Sequence, residues 1–207
     1  MEKKQLTVGC LVLVAVLAVI LIGGGMWMAG SYNSLVQEQE KAKTAFSNID
    51  VILKRNQQNL NSLEQILRKV TTFNQETLEN MVAARAKATQ ITIDPANCTP
   101  QQMQEWSEAQ GMLSQAMSRL MVVHEADYPE LKGNEQFEKV MVELEGAVNR
   151  LSEARRKYNE AVQSYNIKIR SFPVNLIAGM FGFSQMYPYE APSGTEENTT
   201  DFRGLNE

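Results

Sequence analysis

The sequence predicts an all-α protein: an N-terminal transmembrane helix followed by an antiparallel bundle of long helices. Three observations predict it. No charged side chain lies between Lys4 and Glu38, and from Leu6 to Ala29 nearly every residue is apolar. Beyond that stretch the apolar residues recur at alternating steps of four and three, the spacing of a heptad seam. No alternating, β-branched run bounded by turn residues occurs, so no sheet is predicted.

The apolar segment comes first. A helix needs roughly 20 apolar residues to cross a bilayer, and this one is long enough. A cleaved signal peptide is the alternative, with Gly23 and Gly25 as small residues for a peptidase. The run from Leu6 to Ile22 exceeds the usual apolar core of such a peptide and continues through Met26, Trp27 and Met28. Length therefore favours a retained anchor over residues 6–30, preceded by a short segment 1–5. Trp27 and Tyr32 stand where interfacial aromatics belong. Lys3 and Lys4 precede the segment, whereas Lys41 and Lys43 follow at a greater distance. The positive-inside rule then favours a cytoplasmic N-terminus and an extracytoplasmic domain.

The first bundle helix is predicted from about Ser34 to Thr71, roughly 55 Å at 1.5 Å per residue. Its seam is Ala42, Phe46, Ile49, Leu53, Asn56, Leu60, Leu63, Leu67 and Val70, with Asn56 its polar member. Thr72 to Glu76 is a joint or a kink, with Thr72 and Gln75 at capping-box spacing. A shorter helix carrying Leu78, Met81, Val82 and Ala86 follows. Asp94-Pro95 and Thr99-Pro100 are turn chemistry. Thr99 is the predicted cap of the next helix, with Pro100 at its first position and Gln102 closing a capping box. That helix carries Trp106, Ala109, Leu113, Ala116, Leu120 and Val123, and it stops before Tyr128-Pro129.

Gly133-Asn134 opens the last long helix. Its seam runs Phe137, Met141, Leu144, Val148, Leu151, Arg155, Tyr158, Val162, Tyr165, Ile169 and Phe172, and Pro173 stops it. Seam helices joined by short loops bury their stripes together as an antiparallel bundle over residues 31–183. Val174 to Phe183 is apolar but too short to span a bilayer; it covers an open end of the bundle or dips into the membrane surface. Residues 184–207 read as an acidic, disordered tail, and Asn198-Thr199-Thr200 is a formal glycosylation sequon.

Composition narrows function. The chain has 207 residues, a net charge of −4 and interspersed acidic and basic residues. No basic stripe points to nucleic acid. Cys10 lies in the apolar segment and Cys98 far from it, so no disulfide within the chain is expected. The one histidine, His124, stands beside Glu125 near a helix end without a nucleophile or an orienting group. Glu-x-x-His, the di-metal spacing of helical bundles, is absent, and Gly23-Gly24-Gly25 lies inside the apolar segment rather than in a phosphate loop. Met103, Met112, Met117 and Met121 read as core filling rather than a binding groove. No catalytic residue, cofactor, metal or small-molecule substrate is predicted. Asn56 and Arg155 are the polar residues of interest, since each interrupts a seam where a polar member costs stability and can fix register. Arg155 is expected to pair with a carboxylate across the bundle or to snorkel to water.

Several of these stretches also resemble the LemA family of bacterial membrane proteins. They are Leu144-Glu145-Gly146, Asn149-Arg150, Ala154-Arg155-Arg156, Tyr158-Asn159-Glu160-Ala161-Val162, Tyr165-Asn166, Lys168 through Pro173, Leu176, Ala178 and Phe181-Gly182-Phe183. Tyr128 through Lys132, Asn134-Glu135, Tyr32 through Val36, Ser47 through Val51, Glu76-Thr77-Leu78 and Ala84-Arg85-Ala86 match as well. The family's Arg-x-Asp-Leu-Ile-Pro-Asn-Leu run is replaced here by Arg55 through Leu63, without its proline and acidic residue, which implies a straighter first helix. The resemblance implies a single N-terminal anchor in the bacterial cytoplasmic membrane and a domain of long antiparallel helices. It implies no defined activity.

The leading functional reading is a non-enzymatic scaffold that touches membrane lipid through its anchor and presents helical faces to other envelope proteins. Arg150, Arg156, Asn159 and Asn166 are candidate contacts on the last helix, though the same residues can be solvated or bond within the bundle. A structural homo-oligomer and a lipid-binding or membrane-remodelling protein using residues 174–183 are the alternatives. Orientation is testable through Cys98. An impermeant maleimide added to intact cells, with any outer membrane opened, is expected to label it before lysis. Labelling only after lysis would put the domain in the cytoplasm.

Overall fold

A computed structural model describes residues 2–70, 73–120 and 128–190. The described residues form five α-helices and no strand: α1 Glu2–Leu67, α2 Gln75–Gln90, α3 Pro100–Leu120, α4 Glu135–Arg170 and α5 Val174–Phe181, with a 3-10 turn at Pro129–Leu131. Helix direction alternates from α1 to α4, and α1 and α4 form the longest interface. The fold is the all-α antiparallel bundle that the seams predict.

α1 is 66 residues long and does not begin afresh near Ser34. The apolar segment runs straight into the bundle helix. The first proline in the chain is Pro95, so nothing in α1 removes a backbone N–H or clashes with the preceding turn. Glycines 23–25 cost propensity but leave the hydrogen-bond ladder intact. The helix is also unbroken through Arg55–Leu63, where the proline is missing.

Between α1 and α2 the chain turns rather than kinks. Lys69 and Val70 amides close on Ile66 and Leu67 carbonyls at 3.1 and 3.0 Å, tightening the last turn. The cap of α2 is Asn74, whose side chain accepts from the Thr77 amide at 3.0 Å. Thr72, the cap expected from spacing, lies outside the described residues. In α2, Leu78, Met81 and Ala88 are buried and Ala86 is exposed. The seam therefore passes through Arg85 instead. Arg85 tolerates that position because its Nη1 lies 2.8 Å from Glu64, itself buried on α1.

The capping box at α3 is formed in both directions. The Gln102 amide donates to Thr99 Oγ1 at 3.2 Å, and the Thr99 amide donates to Gln102 Oε1 at 2.9 Å. Met103 and Met117 are buried, Met112 is exposed, and Met121, Val123 and His124 lie outside the described residues. Asn134 caps α4 by accepting from the Gln136 and Phe137 amides. The α4 seam holds from Phe137 to Ile169, but Phe172 is 81% exposed because α4 ends at Arg170.

The core is divided. The cluster nearer the apolar segment contains Leu35, Phe46, Leu53, Trp106, Tyr158 and Tyr165. A distal cluster contains Leu60, Leu67, Met81, Leu113, Leu120 and Leu144. Along α1 the boundary falls at Asn56, along α3 between Trp106 and Leu113, and along α4 between Leu144 and Leu151. Asn56 is 1% exposed, and its Nδ2 has no partner among the described residues. An orphaned buried donor is destabilising, whereas an apolar replacement of similar size is neutral or favourable. Asn56→Leu in the full chain is therefore expected to keep or raise the melting midpoint, by roughly 2–4 °C for about 1 kcal/mol. Circular dichroism in detergent reads this out; a lowered midpoint would show that Asn56 has a partner that matters.

Candidate functional site

The C-terminal half of α4 carries a repeated pair, Tyr158-Asn159 and Tyr165-Asn166, one heptad apart. After α5 the chain turns at Gly182, whose φ of 73° places it in the left-handed region that favours glycine. Residues 184–190 then run back along α4 as an extended strap. The strap is packed rather than disordered: Met186 is fully buried and Tyr189 nearly so. The boundary expected at residue 183 therefore moves to at least Glu190. Residues 191–207, including the sequon, lie outside the described residues.

The two asparagines hold the strap by its backbone. Asn166 Nδ2 donates to the Met186 carbonyl at 2.7 Å, and the Met186 amide donates to Asn166 Oδ1 at 3.0 Å. Asn159 does the same for Tyr189, at 3.0 and 2.8 Å. A side-chain amide offers both an N–H donor and a carbonyl acceptor, as a neighbouring strand would. The tyrosines complete the ladder: Tyr165 donates to the Ser184 carbonyl at 2.9 Å and Tyr158 to the Tyr187 carbonyl at 2.8 Å. Burial pushes both phenols above their ordinary pKa, so they remain donors. The periods agree. Seven helical residues rise roughly 10 Å, and three extended residues span about the same.

The strap also covers Arg155 of α4. The Arg155 guanidinium lies 4.2 Å from the centre of the Tyr189 ring, and its Nη2 donates to Ser114 Oγ at 3.3 Å. Among the described residues no carboxylate takes the charge; an aromatic face meets the half-buried guanidinium. Burial lowers the Arg155 pKa, though a guanidinium stays charged across the physiological range. Arg155 Nε, Ser107 Oγ and Gln110 Oε1 are buried without a partner among the described residues. Trp106 meets the Tyr189 ring edge-on at 5.9 Å.

Of the candidate contacts on α4, Asn159 and Asn166 are thus committed to the strap rather than offered to a partner. Arg156 is exposed and saturated along its own helix by Glu153 and Glu160. Arg150 reaches the Glu143 carbonyl at 3.3 Å and lines a groove of about 760 Å³ between α1 and α4. The walls and floor of that groove include Lys41, Thr44, Ala45, Asn48 and Ile52 from α1, and Glu153, Ala154 and Lys157 from α4. Beside it, Glu38 joins the two helices. It accepts from Lys41 at 2.9 Å and from Ser164 at 3.3 Å, and Lys41 chiefly holds its carboxyl below the usual range.

A second exposed feature sits next to the apolar segment. Ile177 and Ala178 of α5 face the core, while Phe172, Leu176, Met180 and Phe181 point outward. Tyr32 meets Phe181 and Phe183 edge-on, at 4.9 and 5.5 Å between ring centres. No group of three or more His, Cys, Asp or Glu side chains is gathered among the described residues.

The family model of LemA matches residues 45–202, so the chain belongs to the LemA family. The match begins within α1 beyond the apolar segment and extends past the strap. No curated protein matches the chain. Family membership and the N-terminal apolar helix are together compatible with a membrane-anchored protein.

The strap ladder has a measurable weight. Asn166→Ala leaves the buried Met186 amide and carbonyl without partners, which costs about 2–4 kcal/mol. The expected outcome is a lowered melting midpoint with early proteolysis between residues 184 and 190. Asn159→Ala, in a more open position, is expected to do less. Equal melting of Asn166→Ala and the parent chain would show the ladder to be marginal.

Proposed function

We propose that this LemA-family protein is a non-enzymatic scaffold of the bacterial envelope, anchored in the cytoplasmic membrane with its bundle outside the cytoplasm. It holds the α1–α4 groove ready for a helical segment of another envelope protein. The observation that carries this reading is the unbroken α1. The same helix that contains the apolar span also forms one wall of the groove, from Gln37 to Ile52. The groove therefore begins about 12 Å beyond Ala29 at 1.5 Å per residue. A partner docked there is held at a set height above the bilayer.

The groove suits a helix. Ala45 and Ala154 keep part of its floor low, Ile52 adds apolar surface, and Lys41, Lys157, Arg150, Glu40 and Glu153 supply charges of both signs at the rim. An amphipathic helix laid into an apolar groove is a recurring recognition mode, with rim charges setting register and choice of partner. The orientation part of the reading rests on Lys3 and Lys4. Burial pushes the Cys98 thiol pKa up, so maleimide labelling in the topology experiment is slow and needs a matched lysed control.

A photo-crosslinking residue in place of Thr44, in the full chain in intact cells, tests the groove. Thr44 is exposed, so the substitution is tolerated. The expected result is a discrete adduct with a different protein, lost when Asn48→Trp fills the groove. A crosslink only to a second copy of this chain would favour the homo-oligomer, and no Asn48-dependent adduct would sink the groove as a docking site.

A further inference from the structure

We infer that α5 is an interfacial membrane contact. Phe172, Leu176, Met180 and Phe181 enter the boundary between headgroups and acyl chains of the bilayer that α1 crosses. The four side chains are 81%, 58%, 72% and 50% exposed. No charged residue occurs between Arg170 and Glu190, so the patch has no rim of its own charges. Contiguous exposed apolar surface marks a contact with a partner or a membrane.

Three observations choose the membrane. The first is height. Tyr32 stands three residues past Ala29, about 4.5 Å along α1, and its ring touches Phe181 and Phe183. The C-terminal end of α5 is therefore level with the end of the apolar segment, where Trp27 and Tyr32 form an aromatic belt. The second is rigidity. Ile177 and Ala178 are buried in the bundle, the Phe183 amide closes on the Ala178 carbonyl at 2.9 Å, and the strap ladder starts at Ser184. The outward face cannot roll inward to bury itself. The third is composition. Phenylalanine, leucine and methionine around a small glycine match the apolar side of an interfacial helix. Such a contact adds a second attachment beside the span and fixes the tilt of the bundle on the membrane.

The inference rests on the anchor reading, and the test separates the two. Single cysteines are placed in the full chain bearing Cys10→Ser and Cys98→Ser: Leu17→Cys in the span, Leu176→Cys and Met180→Cys on α5, and Val142→Cys on exposed α4. Each is spin-labelled in nanodiscs of phosphatidylethanolamine and phosphatidylglycerol, and power saturation compares oxygen with a water-soluble nickel chelate. Oxygen should dominate deeply at Leu17→Cys and more shallowly at both α5 positions, and nickel should dominate at Val142→Cys. Nickel dominance at the α5 positions, with oxygen dominance at Leu17→Cys, overturns the inference and leaves the anchor standing. Protection of the α5 positions from both reagents overturns it in favour of a second copy seated there. Nickel access at Leu17→Cys overturns the anchor and the inference together.

Discussion

The α1–α4 seam is the constraint on which the rest depends. α4 is 36 residues long, about 54 Å, and α1 is 66 residues long, roughly 100 Å. A four-three stripe can be buried only where an opposing stripe exists. α4 supplies one from Phe137 to Ile169, and this matches α1 between Leu35 and Val70. Among the described residues, the part of α1 before Leu35 meets the bundle at the end of α5. Its side chains from Leu13 to Ile22 stay outward and apolar. The length mismatch thus divides one helix into a segment that the bundle covers and a segment that the bundle leaves exposed.

Within the matched stretch, the polar layer divides the core. Asn56, Ser107 and Gln110 are buried where the clusters of Leu53 and Leu60, or of Trp106 and Leu113, would otherwise join. Gln110 donates to the Ala88 carbonyl at 3.1 Å, so it closes the last turn of α2 from a neighbouring helix. A buried polar layer weakens a bundle but penalises a one-heptad slip, because a slipped helix would set these groups against leucines. Arg155 lies within the span of the first cluster on α4 and reaches this layer through Ser114 of α3. Its charge is met by the Tyr189 ring rather than by an acid, which makes the strap part of the electrostatics of the core.

Much of this was legible in the residues. The seams gave the helices their buried faces, and Thr99 with Gln102 gave the start of α3. Two kinds of feature escaped. One is a seam position filled by a long cation: Arg85 reads as surface until its partner Glu64 is known, and so the apolar pattern points to Ala86 in its place. The other is a partner without a sequence signature. Asn159 and Asn166 bind backbone groups of residues 184–190, and backbone donors and acceptors are the same in every sequence. The visible clue was the Tyr-Asn pair repeated after seven residues. That repeat records the match between a heptad on a helix and a tripeptide of extended chain.

The strap and α5 divide the work of the C-terminal segment according to what each can bury. The strap has no regular hydrogen bonds of its own, so its carbonyls and amides must be met by side chains, and the ladder on α4 meets those of Ser184, Met186, Tyr187 and Tyr189. α5 and the residues flanking it pair much of their backbone locally, so the helix can leave one face uncovered. A segment with internal hydrogen bonds and an uncharged outer face can border lipid, whereas an extended one cannot. The order of the two along the chain follows: the helix lies beside Tyr32, at the level of the apolar span, and the strap runs away from it into the bundle. Because both are tied to α4, and α4 is paired with α1 along its length, the α5 face and the groove between α1 and α4 belong to one rigid frame. In the proposed membrane setting, the α5 contact fixes how α1 stands on the bilayer, and that stance fixes where the groove faces.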